Sequence, residues 1–108
     1  MEQLIRKRIH FDIRAQKEIS ALPFHIQKEF GDLINELKYE GRLEMPHGRK
    51  MVGTKLFEMR VSTDTIWRGF YAYVGDDILI LSFFNKKSQK TAKNELSKAL
   101  NRLKNYEK

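Results

Sequence analysis

Hydrophobic positions change their spacing several times along the chain, and each change marks an element. Over residues 7–13, Ile9, Phe11 and Ile13 alternate with Arg8, His10 and Asp12, the period-two pattern of a half-buried first strand. Asp12 then has the short acceptor side chain that caps a following helix. Ala15, Ile19 and Leu22 recur at helical spacing, and Pro23 ends that short helix and restarts the chain as a first-turn residue of a second. Ile26, Phe30, Leu33 and Leu37 form the apolar stripe of the second helix, which Gly41 stops. Residues 42–54 hold no sustained period and contain Pro46, Gly48 and Gly53, so they read as a basic loop.

From residue 55 the pattern is that of strands. Phe57, Met59 and Val61 alternate with Glu58, Arg60 and Ser62, and residues 66–74 are dense in aromatic side chains suited to a pleated sheet. A turn lies between them at residues 62–65, and a second at Gly75-Asp76-Asp77 leads into ILILSFF. That unbroken apolar run predicts a strand covered on both faces, inside its sheet rather than at an edge. Ala92, Leu96, Ala99, Leu100, Leu103 and Tyr106 fall on one side of a last helix, leaving Lys93, Asn94, Ser97, Lys98, Asn101 and Asn105 toward water. The order β-α-α-β-β-β-α, with an antiparallel meander late in the chain, predicts a single α+β domain spanning residues 1–108.

Charge is distributed unevenly over these elements. Residues 85–108 hold eight Lys and Arg against two Glu, most of the formal charge of +7. Lys86, Lys87, Lys90 and Lys93 gather where the last strand meets the last helix, and a helix start offers unpaired N–H groups, so the place suits a phosphate of a polyanion. A solvated helix face is the plainer use of the same charges. The chain has no cysteine, which excludes disulfides, thiolate metal sites and a Cys nucleophile and is compatible with the cytoplasm. MEQLIRKRIHF lacks the apolar centre of a signal peptide, and no segment approaches the ~20 apolar residues of a membrane span. A cytoplasmic protein without membrane attachment is expected.

Several segments together resemble the RelE/HigB superfamily of toxins from type II toxin-antitoxin systems, in its phage-derived HigB-like branch. FDIRAQKEISAL is similar to the family's strand-to-helix start, MPHGRKM followed by LFEMR to its basic loop and second strand, and WRGFYAY to its Tyr-Arg-x-x-Tyr strand. FFNKKSQKTAKNELSKALNRL is similar to the branch's tail, with Ala92 where a Pro is usual and Leu96 where an Ile is usual. The resemblance implies a RelE-like compact RNase fold, endoribonuclease cleavage of mRNA on the ribosome, and neutralisation by a helix-turn-helix antitoxin of the HigA/Xre kind. It implies no metal and no cofactor. Relatives carry a basic active-site residue at the position of Lys87, and several rely mainly on Lys and Arg while the ribosome arranges the substrate.

Metal-free RNA cleavage makes the 2′-hydroxyl attack the neighbouring phosphate, so it needs a base, an acid and cations for the crowded negative charge. Arginine suits the last task because its fork matches phosphate oxygens in two places. Arg60 and Arg68 are the candidates: a turn with three free residues, Thr63 to Thr65, sets them directly opposite each other across the ladder. An anion between them would relieve the repulsion, as would pairing with Glu58 or Asp64. Trp67, Tyr71 and Tyr73 occupy the other face of that strand, available for stacking on RNA bases or, more simply for Trp67 and Tyr71, for core packing. His47 is the histidine of the basic loop and the candidate base, with Glu58 and Glu44 as weaker rivals. A solvated surface histidine is the plainer reading. His10 and His25 read as structural. Arg49, Lys50, Lys86, Lys90 and Lys93 are the candidate RNA contacts.

A competing resemblance leads to a non-catalytic RNA-binding module. KKSQKTAKNELSKAL is also similar to the helix start of double-stranded RNA-binding domains, whose α-β-β-β-α order is a subset of the one above. Against it, VSTDTIW lacks the Gly-Pro-x-His loop of those domains. An inactive family member that acts only with its antitoxin is the third possibility.

Overall fold

The computed structural model describes residues 7–86 and 88–107. Within them the order is β1 (Arg8–Phe11), α1 (Ile13–Ser20), α2 (Phe24–Glu40), β2 (Gly48–Lys50), β3 (Phe57–Ser62), β4 (Ile66–Val74), β5 (Asp77–Asn85) and α3 (Gln89–Lys104). Asp12 caps α1 by accepting the Arg14 N–H. Pro23 sits one position earlier than the sequence pattern places it, as the N-cap residue of α2 and not within its first turn. Gly41 ends α2 in the left-handed conformation, φ 80°, which a side chain would strain.

One strand is absent from the sequence-derived order. β2 lies inside the stretch read as a loop, and its three residues are too few to show a period. Pairing makes it a strand: Gly48 lies opposite Met59, Arg49 opposite Glu58 and Lys50 opposite Phe57. A side chain at position 48 would collide with the Leu43 side chain, so only glycine lets the chain enter this edge.

The five strands form one sheet in the order β1-β5-β4-β3-β2. β1 runs parallel to β5 and the other pairs are antiparallel. β5 is thus an interior strand, as its apolar run predicts. This mixed five-stranded sheet, with a parallel first strand and two helices ahead of the meander, is not that of a double-stranded RNA-binding domain.

Both faces of the sheet are core. Met59, Val61, Tyr71, Ile78, Ile80 and Phe83 pack with Ile26, Phe30, Leu33 and Leu37 of α2 and Ala15 of α1, and Trp67 lies against this cluster. On the opposite face Leu56, Phe70, Ala72, Leu79, Leu81 and Phe84 pack with Ala99 and Leu103 of α3. Both uses expected of the aromatic strand therefore resolve to packing for Trp67 and Tyr71.

Phe70 pairs with Ser82 and Tyr71 with Ile80, so Leu81 is an extra residue in β5. The bulge falls where β1 ends, since Phe11 opposite Ile80 is its last pair. Side chains take over from there. The Glu18 carboxylate accepts the Phe83 N–H at 3.1 Å, and Arg102 donates to the Leu81 carbonyl at 2.8 Å and to both Glu18 oxygens at 2.9 and 2.8 Å. Lys98 reaches the same carboxylate at 3.2 Å and Glu95 at 2.8 Å. It is therefore engaged in ion pairs and not simply turned to water, as helical spacing alone suggests. Just past the end of α3, the Tyr106 hydroxyl donates to Asp12 at 2.8 Å, beside Arg14.

Hydrogen bonds from Arg14, with those from Tyr106 and the capped N–H, hold the buried Asp12 carboxyl well below the usual carboxylate range. Burial pushes Glu18 up, but the bonds from Arg102, the Phe83 N–H and Lys98 outweigh it and leave that carboxyl lowered as well. The unfolded chain therefore binds protons at these two groups before the folded chain does. Their stabilisation is complete above the unfolded carboxylate range near ~4 and is lost as pH falls below it toward the folded values. Thermal unfolding followed by circular dichroism should show Tm dropping steeply below about pH 4. Asp12→Asn keeps a capping oxygen but no charge, so it should lower Tm at neutral pH and make the acid decline shallower. An acid decline equal to that of the wild type would remove Asp12 as its source.

Candidate nucleic-acid site

Ser62 pairs with Ile66 across a turn of residues 63–65, and two steps into the ladder Arg60 stands directly opposite Arg68. Two cations on adjacent strands repel each other unless an anion joins them. Glu58, two residues before Arg60 and therefore on the same face, is that anion. Its Oε2 accepts from Arg68 Nη1 at 2.8 Å and its Oε1 from Arg49 Nε at 3.1 Å, while Arg60 Nη2 comes to 3.8 Å of Oε1. Glu58 is only 1% exposed and Arg68 6%. Arg49 arrives from β2, where it is the register partner of Glu58.

The start of α3 closes over this cluster. Ser88 caps the helix by accepting the Thr91 N–H, and its first turn carries no acidic residue. Between the sheet and the helix lies a cleft of about 170 Å³ with Arg49, Arg68, Lys86 and Lys93 on its wall and Phe70 and Phe84 at its base. Lys86 is fixed there by its backbone N–H, which donates to the Ile66 carbonyl at 3.2 Å. The buried Arg68 Nε has no acceptor among the described residues. Leaving a buried donor unmatched costs about 1–3 kcal/mol.

Not every candidate from the sequence reaches the cleft. Lys50 follows Arg49 in β2 and so points the opposite way, with its ammonium 5.8 Å from the Phe57 ring centre. Lys90 is exposed on the first turn of α3 outside the cleft lining. His47 is exposed in the turn before β2, and its carbonyl accepts the Arg60 N–H. Its side opens onto a separate depression shared with Glu29, Asp32, Pro46, Arg60 and Ser62. The imidazole expected as a base therefore does not line the cleft that holds Arg68. Lys87 lies outside the described residues. His10 pairs with Asp77 at 3.1 Å, in keeping with a structural role.

Over residues 17–104 the chain matches the family described as phage derived protein Gp49-like (DUF891). The chain belongs to this family. Solved structures share the fold of this Gp49-like chain at low identity. A free mutant of the Escherichia coli toxin RelE superposes with a TM-score of 0.70 at 19% identity, covering 90% of this chain and 97% of that one. A chain of the RelB-RelE antitoxin-toxin complex of Methanococcus jannaschii gives 0.62 at 19% identity over 80% and 96%. The toxin-antitoxin complex RelBE2 of Mycobacterium tuberculosis gives 0.58 at 17% identity over 76% and 100%. The fold is RelE-like. No curated protein matches the chain.

The unequal burial of the two opposed arginines separates their effects on stability. Arg68→Ala leaves the buried Glu58 Oε2 without its donor and should cost about 1–3 kcal/mol, whereas Arg60→Ala removes a longer, partly exposed contact and should cost under about 1 kcal/mol. Urea unfolding of the two variants measures both values. Equal losses would show that Arg60, not only Arg68, carries the pairing of Glu58.

Proposed function

We propose that this Gp49-like chain is the toxin of a toxin-antitoxin pair and acts as a metal-independent endoribonuclease on mRNA held by the ribosome. The observation that carries the reading is the buried Arg68 fork with its unmatched Nε, set beneath the lysine-lined start of α3. Family membership and the RelE-like fold support it.

In this mechanism the 2′-oxygen attacks the adjacent phosphorus as its proton passes to solvent, and the 5′-oxygen leaves and takes a proton from solvent, giving a 2′,3′-cyclic phosphate and a 5′-hydroxyl. The crowded phosphate gains negative charge as the new bond forms. Arg68 meets that charge from a dry position, where a donor is worth most, with Lys87 as a further cation, while Arg60, which lines the neighbouring depression and not this cleft, adds its charge from outside it. Arg49, Lys86 and Lys93 hold the flanking phosphates. Lys50 and Lys90, turned away from the cleft, are left to contact ribosomal RNA. The cleft holds no imidazole, so His47 receives no step, and the chain's part is charge stabilisation and positioning on a substrate arranged by the ribosome.

Induction of the chain alone should arrest bacterial growth and cut ribosome-bound mRNA within open frames. Arg68→Lys keeps the charge but loses the fork, and should slow cutting by about a hundredfold or more. His47→Ala should cut within a few-fold of the wild-type rate. Unaffected growth at confirmed expression, or undiminished cutting by Arg68→Lys, refutes the reading.

A toxin of this kind has to be silenced in the cytoplasm, and a helix-turn-helix antitoxin of the HigA/Xre kind with an acidic segment fits the cationic surface of β2 and α3. Charge attraction then speeds the encounter. Stopped-flow association with that partner should slow steeply as salt rises. A rate indifferent to ionic strength would mean that the partner grips an apolar face instead.

A further inference from the structure

We propose that Glu58 is a positioning residue for the reaction, holding the arginines in the geometry that meets the phosphate without itself touching the reacting atoms. The inference rests on the endoribonuclease reading above. Three observations carry it. Both carboxylate oxygens are taken, Oε2 by Arg68 and Oε1 by Arg49, so neither is directed at a substrate. The carboxylate is 2% exposed while Arg49 is 45% exposed, which places it behind the guanidinium groups as seen from solvent. Arg68 is gripped through Nη1 and leaves Nε unmatched, so the grip fixes the plane of the fork and frees another of its donors.

Register makes the arrangement necessary. Arg60 and Arg68 are cross-strand partners and Arg49 is the cross-strand partner of Glu58, so three guanidinium groups converge from β2, β3 and β4 on one carboxylate. Without its charge they would repel one another and swing toward water, where the positive charge persists but its direction is lost. Binding a polyanion and turning it over therefore depend on Glu58 in opposite senses. Removing one negative charge from the cleft favours RNA, while releasing the forks harms the transition state.

The test is multiple-turnover cleavage on mRNA-programmed ribosomes with wild type, Glu58→Gln and Glu58→Asp, each first checked for a cooperative thermal transition. Glu58→Gln should lower kcat by about 10- to 100-fold and lower KM by a few-fold, with the shape of the pH–rate profile unchanged. Glu58→Asp keeps the charge but is one methylene shorter. It should leave KM at the wild-type value and lower kcat by about tenfold, and it supplies the reading if Glu58→Gln does not fold. Wild-type kcat in a folded variant overturns the inference, as does a kcat loss that tracks the unfolded fraction at constant KM. Loss of the alkaline-rising limb of the profile in Glu58→Gln also overturns it, by making Glu58 the proton acceptor. Wild-type protein that cuts nothing is a different result, and it refutes the endoribonuclease reading itself.

Discussion

Everything at the cleft depends on how the chain closes the bulged half of β5. Beyond Ile80 that strand has no strand partner on the β1 side among the described residues, yet it has helices on both faces. Backbone groups in such a place have to be paired, because an unmatched one costs as much as a lost hydrogen bond. Glu18 from one layer and Arg102 from the other take the Phe83 N–H and the Leu81 carbonyl and bind each other. The pair therefore passes the sheet and ties α1 to α3. Through α3 it also fixes the helix start that carries Lys93, so the lid of the cleft inherits its position from a salt bridge at the far side of the sheet.

The half-buried Glu18 carboxylate of α1 and the buried Glu58 carboxylate of β3 are matched differently. Around Glu18 the ledger of donors and acceptors closes: Arg102 spends its donors on two carboxylate oxygens and a carbonyl, and Lys98 and the Phe83 N–H complete the set. Around Glu58 it does not close. Three arginines face one carboxylate, and one buried N–H is left over. Arg68 alone is buried with the carboxylate, while the two further arginines stay 45% and 30% exposed, where an additional ion costs less to desolvate. Surplus cation in a cleft, beside a helix start free of acids, is the arrangement expected where an anion arrives from outside.

The strand pattern made the central geometry legible. A turn read with three free residues sets Arg60 opposite Arg68, as the ladder has it, whereas which face of the strand is core follows only from the packing of α2 and α3. The apolar run of β5 likewise revealed an interior strand. What sequence hid follows from the same physics. β2 exists through its pairing with β3 and has no periodicity of its own, so the opposite orientations of neighbours Arg49 and Lys50 were invisible, and with them the partner of Glu58. Arg102 reads as one more cation on a basic helix. Its burial comes from a bulge on a strand some twenty residues earlier, which no local pattern announces. His47 drew attention by residue type and by its basic neighbours, but proximity in sequence to Arg49 placed it on a turn that opens the other way.

The excess charge of the last element also changes meaning once its partners are known. Arg102 and Lys98 share the Glu18 carboxylate, and Lys98 is bound to Glu95 as well, so two of the three cations in the second half of α3 are engaged in ion pairs, while Lys104 stays exposed. Lys86, Lys90 and Lys93 lie at the other end, with Arg49 across the cleft. Lys86, Lys93 and Arg49 thus gather at one end of the helix and one edge of the sheet. Even spacing would suit nonspecific attraction to any polyanion. Concentration beside a buried guanidinium suits a single phosphate gripped at a defined point, with the neighbouring phosphates of one strand lying across the lysines on either side.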